Sequence, residues 1–125
     1  MSIGVIYTLF LEHPGICTDS RHIVPDSLFF ALKGPNFNGN AYAAEALEKG
    51  AAYAIVDEAD YAGQERCILV PDALKCLQEL GTHHRRQSRA TIIALTGSNG
   101  KTTTKELISR VLSRKYITLS TEGNL

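Results

Sequence analysis

Net charge, paired cysteines and long apolar runs are all missing from this chain, and each absence closes a class of function. Thirteen basic side chains balance thirteen acidic ones, so the formal net charge at neutral pH is zero. No overall field therefore draws the chain to nucleic acid or to an anionic membrane surface. No apolar run approaches the ~18–20 residues that span a bilayer as a helix. The first residues, Met1-Ser2-Ile3-Gly4-Val5, lack the basic region and cleavage site of a signal peptide. The three cysteines, Cys17, Cys67 and Cys76, are odd in number, form no CxxC and suit no zinc spacing. They read as reduced, mostly buried thiols of a cytoplasmic protein. What is present is 44% apolar and 21% charged residues over 125 positions. That is ordinary for a globular chain of one domain, or of one domain plus part of another.

Along the chain, apolar runs alternate with helix-forming stretches. Residues 3–12 (IGVIYTLFLE) form a candidate short helix stopped near Pro14, and Ile16-Cys17 begins a strand. Leu28-Phe29-Phe30-Ala31-Leu32 is a short apolar run suited to a buried strand. Lys33-Gly34-Pro35-Asn36-Phe37-Asn38-Gly39-Asn40 is rich in turn formers and predicts a loop. Residues 41–49 predict a helix ended by Gly50. Residues 52–56 and 67–70 predict strands. Pro71-Asp72 opens a long helix whose apolar face is Leu74, Leu77 and Leu80, and which ends in the basic cluster His83-His84-Arg85-Arg86. That cluster reads as a solvated helix end whose cations complement the dipole. Ala90-Thr91-Ile92-Ile93-Ala94-Leu95 predicts a buried parallel strand. A helix from about Thr102 to Arg114 follows, with Leu107, Ile108, Val111 and Leu112 on its buried face, and then a strand over 116–119. The class is α/β with a largely parallel sheet, and a boundary falls around residues 84–90.

The strand over 90–95 feeds Gly97-Ser98-Asn99-Gly100-Lys101-Thr102, and this order of strand, glycine-rich turn, Lys-Thr and helix builds a phosphate site. Glycines at 97 and 100 admit backbone conformations that a Cβ obstructs. Successive N–H groups then cradle phosphate oxygens, helped by the positive end of the helix dipole. Lys101 reaches the β- and γ-phosphates, and the Thr102 hydroxyl ligates Mg²⁺. Against the usual G-x-x-x-x-G-K-[ST], Leu95 stands in place of the first glycine. The plain alternative is a tight strand-to-helix turn with an exposed lysine, which has no need of Lys-Thr at this offset. A phosphate cradle also does not say what the nucleotide is for: such loops serve ligases, kinases, switches and transporters alike.

Thr96-Gly97-Ser98-Asn99-Gly100-Lys101-Thr102-Thr103-Thr104 resembles the ATP loop of the Mur ligases, in which the first glycine is commonly absent. Thr18-Asp19-Ser20-Arg21, Leu28-Phe29-Phe30-Ala31-Leu32-Lys33-Gly34 and Gly50-Ala51-Ala52-Tyr53-Ala54-Ile55-Val56 resemble that family's N-terminal domain. Thr102 to Leu107 and Thr121-Glu122-Gly123-Asn124-Leu125 most resemble its member that adds D-alanyl-D-alanine. The resemblance runs from about residue 16 to the end, through separated motifs in the family's order.

The resemblance implies a small N-terminal α/β UDP-binding domain over 1–86, followed by the start of a P-loop parallel-sheet ATP-binding domain over 87–125. It implies an ATP-dependent ligase of peptidoglycan precursor synthesis, serving cell-wall biogenesis, cell shape and cell division. ATP phosphorylates the terminal carboxylate of a UDP-N-acetylmuramoyl tripeptide, and the amine of D-alanyl-D-alanine attacks the acyl phosphate. By position, Gly97, Ser98, Asn99, Gly100, Lys101, Thr102 and Thr103 bind ATP, with Lys101 catalytic and Thr102 on the magnesium. Ser20, Pro35, Asn36 and Phe37 contact the UDP part. Asn38 and Asn40 depart from the family pattern, where Asp and His are frequent around Gly39. A different added amino acid, or a non-catalytic nucleotide-binding module, are the competing readings. The expected protein is a cytoplasmic monomer with no membrane span and no nucleic-acid partner. The expected status of this chain is an N-terminal piece of a ligase of about three domains, inactive alone. The modified lysine, further metal ligands and amine-binding domain of that family lie outside it.

Overall fold

The computed structural model describes residues 2–122 and divides at Arg89/Ala90 into two compact units. The first unit is built on a four-stranded sheet in the order β1 (Ile16–Cys17), β2 (Leu28–Phe30), β5 (Tyr53–Val56), β6 (Cys67–Leu69). Every neighbouring pair in it is parallel, with Ile16 beside Leu28, Leu28 beside Tyr53 and Ala54 beside Cys67. A separate antiparallel pair, β3 (Lys33–Gly34) and β4 (Phe37–Asn38), follows β2 directly. The helices are α1 (Ile3–Glu12), α2 (Ala43–Glu48) and α3 (Ala73–Gln87).

Strand alternation explains why the apolar runs are nearly continuous. Side chains of a strand point to opposite faces in turn, and here both faces are covered. Leu28, Phe30 and Ile55 face a core shared with Ile6 of α1 and with Ala73, Cys76 and Leu80 of α3. Phe29, Ala31, Ala54 and Val56 face the opposite core, with Ala43, Ala46 and Leu47 of α2. Gly50 ends α2 at φ 115°, a left-handed conformation that glycine adopts without strain.

Helix α3 corrects the phase read from the leucines. Its buried positions are Ala73, Cys76 and Leu80, with Leu77 packed partly against the same core, whereas Leu74 is 51% exposed. A spacing of three drifts around the helix by about 60° each step, so three leucines cannot share one stripe; the i, i+3, i+4, i+7 set does. Leu80→Ala is expected to cost about 2–4 kcal/mol and Leu74→Ala under about 1 kcal/mol in urea unfolding. Equal costs at the two positions would contradict this packing.

The stretch 33–40, read as a loop, contains the β3–β4 hairpin, and a 3-10 turn covers Gly39–Tyr42. In the second unit, α4 (Lys101–Leu112) is the one regular element among the described residues. The strands expected over 90–95 and 116–119 do not form: Ile92, Ile93, Ile117 and Leu119 are exposed, as are Leu107 and Val111 of the helix face expected to be buried. A strand exists by pairing its N–H and C=O groups with neighbours, and two short segments make at best a marginal sheet. Gly123, Asn124 and Leu125 lie outside the described residues.

Candidate functional site

Each unit holds one polar place; that of the first unit stands at the C-terminal ends of its parallel strands, the side on which open α/β sheets bind their ligands. The first is a pocket of about 450 Å³ lined by Thr18, Asp19, Ser20 and Arg21 from the turn after β1, Phe29 of β2, and Phe37, Gly39 and Tyr42 from the hairpin side. Phe29 is 1% exposed and makes its floor; Phe37 and Tyr42, both half-exposed, stand at its rim. Aromatic faces beside polar groups suit a flat, polar heterocycle.

The turn after β1 is fixed by its own side chains. The Asp19 carboxylate accepts from the Arg21 backbone N–H at 2.9 Å, and from Arg21 Nε and Nη2 at 3.0 and 2.8 Å. The Arg21 guanidinium beside Asp19 holds its carboxyl well below the usual carboxylate range. The ion pair is exposed and adds little stability; its effect is to shape the turn and to keep a guanidinium at the pocket. Lys49, which caps the C-terminus of α2, donates to the Ser20 carbonyl at 2.9 Å and ties the turn to that helix.

Of the residues expected to contact UDP, the pocket brings Ser20 and Phe37 together. Pro35 and Asn36 sit exposed between β3 and β4, outside the lining set. Thr18, Arg21 and Tyr42 line the pocket without having been singled out for it. Thr18 and Arg21 belong to the same short turn as Ser20, which was the available signal; Tyr42 had none.

Behind the hairpin lies a polar network. Asn40 is fully buried. Its Nδ2 donates to Asp57 Oδ1 at 2.8 Å and Asn38 Oδ1 at 2.9 Å, and its Oδ1 accepts from the Asp57 N–H at 3.0 Å. Asn38 donates to Glu58 at 3.0 Å. Lys33 reaches Asp57 at 3.2 Å and Glu58 at 3.0 Å. Burial pushes the Asp57 carboxyl up, but the Ala73 N–H, Asn40 and Lys33 together outweigh it and hold the group below its ordinary value. The departures at 38 and 40 thus have a local reason. An aspartate at 38 would set a second carboxylate against Glu58, where the amide donates instead.

The second place is the loop before α4. Gly97 and Gly100 have φ of 145° and 75°, and Gly100 caps the helix that Lys101 begins. Its carbonyl accepts from the Thr104 N–H at 2.9 Å. The first N–H groups of a helix have no partner within it, so Lys101, Thr102 and Thr103 present theirs at the loop. The exposed Thr102 hydroxyl is a hard oxygen donor of the kind Mg²⁺ takes together with phosphate oxygens, and so fits that ion. Lys105, one turn further on, is engaged elsewhere, with Glu106 and the Thr121 carbonyl.

Among the described residues, no cluster of His, Cys, Asp and Glu could hold a metal by itself, and no helix is long and apolar enough to cross a membrane. The three cysteines are free, and burial pushes the Cys67 and Cys76 thiols up, away from the thiolate form a nucleophile needs.

Known proteins resemble the chain over both units. The UDP-N-acetylmuramoyl-tripeptide–D-alanyl-D-alanine ligase of Treponema pallidum is 38% identical over 89% of this chain and 27% of its own length. The UDP-N-acetylmuramoyl-L-alanyl-D-glutamate–2,6-diaminopimelate ligase of Aquifex aeolicus is 38% identical over 78% of this chain and 20% of its own. The crystal structure of the MurF ligase of Thermotoga maritima, in complex with ADP, matches with a TM-score of 0.77 and 31% identity, covering 89% of this chain and 26% of that one. The chain thus spans about a fifth to a quarter of the length of these relatives. The family profile for the Mur ligase middle domain matches residues 95–125. The profile for the Mur ligase family catalytic domain matches residues 13–85, more than half of the sequence, and on that match the chain belongs to the Mur ligase family.

Proposed function

We propose that the chain supplies the UDP-binding and ATP-loop parts of an ATP-dependent ligase that adds D-alanyl-D-alanine to a UDP-N-acetylmuramoyl tripeptide. The observation that carries the reading is the pairing of two sites on one chain. One is an aromatic-rimmed pocket with Ser20 and Arg21 at the strand ends; the other is a glycine-capped helix start bearing Lys101-Thr102. Residues 1–86 serve as the UDP-binding domain and 87–125 begin the ATP-binding domain. The relatives that add D-alanyl-D-alanine support this choice of amine. The diaminopimelate-adding relative keeps a different added amino acid as the second reading.

The chemistry follows from the poor leaving group of a carboxylate. Transfer of the γ-phosphoryl group to the substrate carboxylate yields an acyl phosphate and ADP. The amine nitrogen then attacks the acyl carbon, the C–O bond to phosphate breaks, a proton leaves the nitrogen, and an amide and phosphate result. In this scheme Gly97, Ser98, Asn99, Gly100 and Thr103 orient the triphosphate by backbone and hydroxyl donors, and Lys101 offsets charge on the β- and γ-phosphates. Thr102 would hold Mg²⁺, which when bound neutralises phosphate charge. Ser20, Pro35, Asn36 and Phe37 meet the UDP part, with Thr18, Arg21 and Tyr42 added to them by the pocket's lining. The three free cysteines fit a reducing, cytoplasmic setting.

Calorimetry tests the first half. UDP titrated into this chain is expected to bind in the micromolar to millimolar range. An Arg21→Ala/Phe37→Ala double variant is expected to weaken binding at least about tenfold, from one charge-assisted bond and one aromatic face. No heat of UDP binding to the wild-type chain would sink the assignment of the pocket.

A further inference from the structure

We propose that Asp57 is a positioning residue for the uridine pocket: it is not among the pocket's lining residues, yet it tethers the hairpin that carries Phe37 and the 3-10 turn that carries Gly39 and Tyr42. The inference rests on the reading of that pocket as the UDP site.

The argument begins with what a hairpin of two-residue strands lacks. β3 and β4 share a single short antiparallel pairing, too little to hold a geometry of its own. Something outside must fix where Phe37 stands. Asp57, the first residue after β5, does so through three elements at once. Oδ2 accepts from the Ala73 N–H, at the start of α3, at 3.0 Å. Oδ1 accepts from the Asn40 amide at 2.8 Å and from Lys33 of β3 at 3.2 Å. The backbone N–H of Asp57 returns a bond to Asn40 Oδ1 at 3.0 Å. Asn40 in turn is tied through both its backbone N–H and its side chain to Asn38 of β4, the neighbour of Phe37. The path from α3 to the pocket rim is therefore continuous and made of bonds with fixed direction.

Chemistry requires a carboxylate at this hub. Both oxygens accept, and every partner is a donor, so an amide at 57 must turn its NH₂ towards a donor whichever way it is flipped. The Asp57 side chain is only 10% exposed, so water is poorly placed to replace the lost bond. Glu58, beside it, cannot take over, because its carboxylate is held by Lys33 and Asn38.

The test is UDP titration of the wild-type chain, Asp57→Asn and Lys33→Met, each shown folded by circular dichroism at the measuring temperature. Asp57→Asn is expected to raise the Kd for UDP about tenfold, the equivalent of one charge-assisted hydrogen bond lost from the rim's support. The stoichiometry should stay at one per chain, and amide shifts in NMR spectra should move mainly over 33–42. Lys33→Met, at a half-exposed site, is expected to raise Kd two- to threefold, and it decides the matter if Asp57→Asn does not fold. An unchanged Kd in the folded variants overturns the positioning role while leaving the pocket's assignment intact. A lowered stoichiometry at unchanged Kd also overturns it, since that is plain loss of folded protein. No binding by the wild type overturns the pocket's assignment, and the inference with it.

Discussion

Alanine at Lys101, in the complete ligase proposed above, is expected to lower kcat about a thousandfold while shifting the melting temperature by no more than a degree or two. The magnitude comes from Coulomb's law. A lysine ammonium about 4 Å from a phosphate oxygen interacts by about 4 kcal/mol at the effective dielectric of a protein surface, and ~1.4 kcal/mol is a factor of ten in rate. Negative charge builds on the leaving β-phosphate and its bridging oxygen as the bond to ADP breaks, beside the place the motif gives Lys101, so the loss appears in kcat and not only in ATP affinity. Stability should hardly respond: Lys101 is only partly buried, it opens α4, and no ion pair to it occurs among the described residues. Lys105→Ala is the control. It removes the same charge one turn along, but that lysine is bound to Glu106 and the Thr121 carbonyl, and kcat should stay within about threefold of wild type. Turnover by Lys101→Ala close to wild type would refute the phosphate role.

The contrast between these lysines shows what could be read from residues alone. The glycine turn before α4 is legible because it is local: the two positive-φ glycines and the helix start at Lys101 are nearly consecutive. The sheet of the first unit was legible for a related reason. A strand covered on both faces must be apolar at every position, and Leu28-Phe29-Phe30 and Ala54-Ile55-Val56 are. Gly50 marks the end of α2 because only the left-handed turn there needs it. What was not legible depends on partners far along the chain. Lys33 to Asn40 reads as a loop because nothing within eight residues shows that Asp57 and Glu58 will hold it as a hairpin. The run Ala90 to Leu95 has a strand's composition, but composition does not provide the neighbouring strand that pairing requires. Leu74 misleads because leucine spacing alone does not fix the phase of the helix, which Ala73 and Cys76 set.

The same hairpin yields the other large effect, Gly39→Ala, which is expected to destabilise the chain by about 3–5 kcal/mol. Gly39 does not have a positive φ, so the cause is not its backbone angles. A Cβ there would lie 2.5 Å from the Leu32 carbonyl oxygen, 2.8 Å from its nitrogen and 3.0 Å from the Ala31 carbonyl carbon. All three are backbone atoms of the two residues just after β2, so no side-chain rotation gives relief. The turn must move off the sheet by several tenths of an ångström. That movement lengthens the 2.8 Å bond from the Gly39 N–H to the Leu32 carbonyl and pulls buried Asn40 away from Asp57. Overpacking of this kind costs about 1–3 kcal/mol, and each buried polar group left unpaired adds about 1–3 kcal/mol. Against a total stability of ~5–15 kcal/mol, the loss is enough to unfold a marginal domain. Gly63→Ala supplies the comparison, since a Cβ at Gly63 meets nothing within 4 Å; it should be neutral within about 0.5 kcal/mol. Urea unfolding of the two variants measures the difference directly, and a cost at Gly39 below about 1 kcal/mol would contradict the close approach. Because Gly39 also lines the pocket, any Gly39→Ala protein that stays folded should have lost UDP affinity as well. Stability and binding then fail together at this glycine, whereas at Lys101 activity fails alone.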